Sequence, residues 1–151
     1  MLAPYTRTCG LMSGTLFIRA AGVSNGTLLA EAFPNLRVVT HGVYIESNPN
    51  LVSIDGAFPN LQTVGGQLRI YNNARLTSIG TAFSSLQSVN GQLQWYHNGG
   101  QTSTASTAGS VAFCASARGA LCASTDNYAG GSIGDDSWSC CTAYCATTTD
   151  C

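Results

Sequence analysis

The 151-residue chain contains no Lys and only two His, and its charged residues amount to 9%, against roughly a quarter in an average soluble domain. Six Arg against seven carboxylates leave a net charge of −1, which excludes the basic footprint of a nucleic-acid binder. No apolar run reaches the roughly 18 residues that a membrane span needs, so none is expected in this chain. The opening Met1-Leu-Ala-Pro-Tyr-Thr-Arg7 lacks the basic and apolar regions of a secretory signal. With so little charge, surface polarity falls to Ser, Thr, Asn, Gln and Gly, a composition suited to an extracellular surface.

Cysteine, by contrast, is plentiful. Seven Cys point to an oxidising compartment. A secreted or cell-surface protein is therefore expected, its targeting segment missing from this sequence. Six of the seven, Cys114, Cys122, Cys140, Cys141, Cys145 and Cys151, fall in the last 42 residues. Three disulfides there would staple a segment too small for its own core, in any of about fifteen connectivities. Zinc is disfavoured because the spacings lack paired Cys-x-x-Cys and no His lies nearby. Cys9 stands apart and is expected to be buried and unpaired, as a small apolar side chain.

The dominant feature is a repeat. Ala32-Phe-Pro-Asn-Leu36 recurs as Ala57-Phe-Pro-Asn-Leu61 and as Ala82-Phe-Ser-Ser-Leu86, each 25 residues on. Val39, Val64 and Val89 keep the same phase, as do Val43, Leu68 and Leu93, then Ile45, Ile70 and Trp95. An earlier copy is offset by 27, aligning Met12 with Val39 and Leu16 with Val43. Within a copy, apolar residues alternate, as in Leu68-Arg-Ile70, so each strand has one buried face. Gly and Asn clusters after each strand supply turns. A single coil cannot bury its own apolar side, so coils must stack and share a core. The fold expected is mainly β: a short right-handed β-solenoid of about four coils over residues 1–98. A Gly/Thr/Ser/Ala-rich linker over 99–109 follows, and then a disulfide-rich cap over 110–151 containing a short helix.

Gly66-Gln-Leu68-Arg-Ile70, Asn73-Ala-Arg-Leu76-Thr-Ser-Ile79 and Phe83-Ser-Ser-Leu86-Gln-Ser-Val89-Asn-Gly91 together resemble the receptor L domain of insulin and epidermal growth factor receptors. The resemblance spans roughly residues 10–98. It implies a short right-handed β-helix of leucine-rich-repeat character, used for ligand or protein contact and for adhesion. Kinase, transmembrane helix and long cysteine-rich module are absent, so hormone binding does not carry over.

If Val43, Leu68 and Leu93 point inward, their neighbours point outward. The outward columns are Phe17, Tyr44, Arg69 and Gln94, and beside them Arg19, Glu46, Tyr71 and Tyr96, flanked by Gln67 and Gln92. Tyr and Arg are enriched where proteins bind partners, and rings interleaved with amides suit sugars. The competing reading is an aromatic ladder that only stabilises the sheet. Asn48, Asn73 and Asn98 share a phase after the strand and are expected to face inward, satisfying turn backbone groups. Asn25-Gly-Thr27 is a glycosylation sequon in the irregular first coil, where a bulge to solvent is expected.

Catalysis is not expected. His41 and His97 fall at turns, Glu46 and Asp55 fall on different sides of a coil, and Asp135-Asp136 are neighbours on a loop. No phosphate loop occurs, and no cofactor or metal site is expected. The function expected is a non-catalytic recognition module for a protein or glycan ligand. The principal alternative is a structural component of a surface layer or larger assembly. An ice-binding face lacks its regular Thr-x-Thr columns, and it and a hydrolase remain minor alternatives.

Overall fold

A computed structural model describes residues 9–19, 22–91 and 93–99, with the backbone alone at 93, 95 and 96. Each coil contributes a two-residue strand, a sharp corner and a four-residue strand. The short strands are β1 Leu11–Met12, β3 Val38–Val39, β5 Thr63–Val64 and β7 Ser88–Val89. The long ones are β2 Leu16–Arg19, β4 Val43–Glu46, β6 Leu68–Tyr71 and β8 Leu93–Tyr96. A seven-residue helix, α1 Gly26–Ala32, lies between β2 and β3.

Two parallel sheets result, ordered β1-β3-β5-β7 and β2-β4-β6-β8. The register runs Leu16↔Val43↔Leu68↔Leu93, so the offsets of 27, 25 and 25 read from the sequence are those of the fold. The molecule is a β-solenoid of three full turns, which bring four strands to each sheet. An isolated parallel bridge, Ser53 to Ser78, marks the third side.

The core is built from stacked identical positions. Val39, Val64 and Val89 line one sheet, and Ile18, Ile45 and Ile70 line the other, all buried. Leu51 with Leu76 and Ile54 with Ile79 close the third side. Phe33, Phe58 and Phe83 stack through the remaining corner with centroids 6.0 and 5.6 Å apart. Each such side chain contributes about 1.5–3 kcal/mol when fully buried. In a solenoid that term is realised only when a neighbouring coil lies above or below.

The corner between the two sheets needs glycine. A Cβ on Gly65 would collide with the Thr40 carbonyl, and one on Gly91 would lie 2.8 Å from Gly66. Successive backbones thus approach too closely there for a side chain.

The first coil differs from expectation. In place of an irregular bulge it holds α1, N-capped by Asn25, whose side-chain oxygen accepts from the Leu28 N–H at 3.2 Å. A helix rises about 1.5 Å per residue against about 3.3 Å in a strand. The helix thereby fits 27 residues where later coils fit 25, and it buries Leu29 against the stack.

Candidate functional site

The register of the long-strand sheet aligns the sequence-predicted residues in two columns. One is Phe17, Tyr44, Arg69 and Gln94; the other is Arg19, Glu46, Tyr71 and Tyr96. Parallel in-register pairing stacks equivalent positions, so planar side chains in a column lie one above another. The Phe17 and Tyr44 rings stack with centroids 4.8 Å apart and planes 15° apart. The Arg69 guanidinium lies 5.7 Å from the Tyr44 centroid and 4.8 Å from that of Tyr71, within cation–π range of both. It leans from its own column towards the next. The Tyr44 hydroxyl donates to Gln67 Oε1 at 3.3 Å, which brings Gln67 into the same surface.

Glu46 departs from expectation. It belongs to the outward column, yet only 2% of it is exposed. Arg19, one rung below in register, forms an ion pair with its carboxylate and lies over it, with the Arg19 side chain 61% exposed. A buried carboxylate is retained only when paired, and here the partner is also the lid. Glu46 is therefore a support for Arg19 and is not itself a contact surface. Gln92 and the side chain of Tyr96 lie outside the described residues.

Behind this face, the expected Asn ladder forms. Asn48, Asn73 and Asn98 are buried just past each long strand. Asn73 donates from Nδ2 to the Ile45 carbonyl at 2.9 Å, and Asn98 to that of Ile70 at 2.8 Å. Asn73 Oδ1 accepts from the Asn48 N–H at 3.1 Å and from its Nδ2 at 3.0 Å. Asn98 Oδ1 does the same for Asn73. The ladder pins the turn after each strand, where Ser47, Asn72 and His97 hold φ of 54°, 55° and 51°. The Asn48 carboxamide oxygen has no partner among the described residues.

Two further expectations bear on sites. Cys9 is exposed, not buried. The neighbouring Leu11 pairs with Val38 at the 27-residue offset, but no described coil lies beneath Cys9 to cover it. The linker, the short helix at 110–123 and the six tail cysteines lie outside the described residues. Asn25 is exposed, and its amide nitrogen is not engaged by the cap.

Away from the face, Asp55 Oδ1 accepts from the Thr81 N–H at 2.8 Å and from its hydroxyl at 3.0 Å. These bonds, the backbone one foremost, hold its carboxyl below the usual Asp range against a small opposing effect of burial. Among the described residues no three His, Cys, Asp or Glu side chains gather as metal ligands. No described helix is long and apolar enough to cross a membrane. One pattern relevant to catalysis lies outside the repeat. Gly130-Gly-Ser-Ile-Gly134 spells the Gly-x-Ser-x-Gly of a hydrolase nucleophile elbow, which requires a strand before it and a helix after it. It lies outside the described residues, and the preceding Asn127-Tyr-Ala has no strand-like apolar run.

No protein-family model matches the chain, and neither curated proteins nor solved structures yield a match.

Proposed function

We propose that this protein is a non-catalytic recognition module, secreted or at a cell surface, that binds protein or glycan through the outer face of its long-strand sheet. The observation that carries this reading is the row Phe17, Tyr44, Arg69, Tyr71, each in contact with the next on one parallel sheet. Rings and guanidinium already stacked on one another lose little further freedom when a ligand arrives, so contact area is gained at low entropic cost. Tyr and Arg are also the residues in which binding energy concentrates. The resemblance of residues 10–98 to receptor L domains supports both a binding role and an extracellular setting.

A glycan array read with wild type and Tyr71→Ala tests the proposal, with circular dichroism confirming that the variant folds. Binding by wild type that is lost in Tyr71→Ala supports it. Binding unaffected by the substitution puts the site elsewhere and overturns it.

A structural role in a surface layer is the second reading. It is favoured by Leu11 and Phe17, both 59% exposed and both on the first rung, where each sheet ends in an edge strand among the described residues. Sedimentation distinguishes this reading: concentration-dependent assembly supports it, and a monomer at every concentration removes it.

A further inference from the structure

The sheet face does not account for Asn25-Gly-Thr27, and the fold gives this tripeptide a specific setting. Asn25 caps α1 through Oδ1, which accepts from the Leu28 N–H at 3.2 Å. Ser, Thr or Asp offers an oxygen for the same bond. The cap therefore accounts for the oxygen of the carboxamide and leaves Nδ2 without a partner among the described residues. Thr27 is exposed within the first turn of the helix, and among the described residues nothing engages its hydroxyl. Thr is also one of the weaker helix formers, so propensity does not call for it there. No other Asn in the chain is followed two residues on by Ser or Thr.

Placement adds a second argument. The Val52 N–H donates to the Ser24 carbonyl at 3.0 Å, and Gly26 abuts the backbone of Ile54 and Asp55. Asn25 thus lies on the third side of the coil, away from the long-strand sheet. Buried Gly26 anchors the tripeptide, and Asn25 and Thr27 are exposed on either side of it. Two exposed apolar side chains border the site, Leu28 at 42% and Val52 at 40%. A sugar on Nδ2 could lay its C–H surface over them and take apolar area out of water.

Resting on the extracellular setting proposed above, we infer that Asn25 carries an N-linked glycan, attached through Nδ2 while Oδ1 keeps the cap of α1. The donor is an oligosaccharide linked through pyrophosphate to a lipid, and a transferase of the secretory pathway joins it to the chain. A bond forms between Nδ2 and C1 of the first sugar, and the bond from C1 to the pyrophosphate oxygen breaks. The pyrophosphate leaves with the bonding electron pair, and one Nδ2 proton passes to a base of the transferase. Oδ1 is not consumed, so the modified side chain still accepts from the Leu28 N–H. The glycan shields the third side at the first coil and leaves the long-strand sheet open to a ligand.

The test directs the full chain into the secretory pathway of a eukaryotic cell with a fused leader, and only leader-cleaved chains are read. Trypsin cuts after Arg19 and Arg37, so one peptide, 20–37, carries the sequon. Mass spectrometry should find that peptide bearing a glycan in wild type, removable by an N-glycan amidase, and bare in Thr27→Val. Asn25→Asp should also be bare yet keep the cap, because its carboxylate accepts from the same N–H. Protection of the Leu28 amide from exchange should be equal in the glycosylated wild type and in Asn25→Asp. A bare peptide in the wild type overturns the inference, as does a glycan that persists in Thr27→Val. A glycosylated wild type whose Leu28 amide exchanges much faster than that of Asn25→Asp overturns the shared use of the side chain. The recognition reading is judged separately by the array: a glycosylated chain whose array binding is unaffected by Tyr71→Ala overturns that reading and leaves the glycan in place.

Discussion

Asn73 makes more buried hydrogen bonds than any neighbour of its type, and each joins two rungs or closes a turn. Its Nδ2 donates to the carbonyls of Ile45 and Tyr71 and to Asn98, while its oxygen serves the Asn48 N–H. Asn73→Ala leaves at least two buried backbone groups unsatisfied, each costing about 1–3 kcal/mol, so a loss of about 2–4 kcal/mol in urea unfolding is expected. A loss below about 0.5 kcal/mol would show that water enters the turn freely. Asp55 gives a different signature, one that depends on pH. Its carboxyl is depressed by the Thr81 bonds, so the stabilisation is present above the unfolded value of about 3.9 and is lost as pH falls through the folded value. The difference in melting temperature between wild type and Asp55→Asn should therefore shrink on acidification below about pH 4. A difference that stays constant from pH 6 to pH 2 would place the effect of the substitution outside the charge. At this scale the sequence was informative about phase and silent about pairing. Period-two alternation put Tyr44 and Tyr71 on one face. The burial of Glu46 depends on Arg19, 27 residues away, and no local pattern encodes it.

Among the elements, the strands were legible because the same apolar phase recurs in every copy. The helix was not, because aligning the first coil to the repeat absorbed its two extra residues as an irregularity. The signal was nevertheless present. Asn25 is an N-cap type, and Leu28, Leu29, Ala30, Glu31 and Ala32 are among the better helix formers. What anchors α1 is Gly26, buried in its first turn, where a Cβ would run into the backbone of Ile54 and Asp55. Gly26→Ala improves helix propensity by about 1 kcal/mol in isolation, yet here it must push α1 off the second coil. Net destabilisation is expected, with faster amide exchange over residues 26–32 than over β4. A neutral or stabilising outcome would mean that the coil shifts to accept the methyl group. Cys9 teaches a related lesson. The 27-residue offset aligns it with Leu36, but membership of a core column implies burial only where coils lie on both sides.

Over the whole molecule, stability is shared along one axis. Each rung is held chiefly by the rungs above and below, so inner rungs gain two interfaces and end rungs one. The burial pattern follows this rule: Val43 and Leu68 in β4 and β6 are fully buried, whereas Leu16 in β2 retains 6% exposure. Among the described strands β2 also lies at an edge of its sheet, paired by β4 alone. Native-state hydrogen exchange should consequently grade along the axis, with protection highest in β4 and β6 and falling towards β2. Within β2 the gradient has a finer structure. The Leu16 N–H donates to the Gly42 carbonyl at 2.9 Å, and in a parallel ladder alternate amides point the same way, so Leu16 and Ile18 should exchange more slowly than Phe17 and Arg19. Uniform protection from β2 to β6 in the free protein would instead mean that the first edge is covered, and the exposed positions of Leu11 and Phe17 would then have to be reinterpreted as an occupied interface.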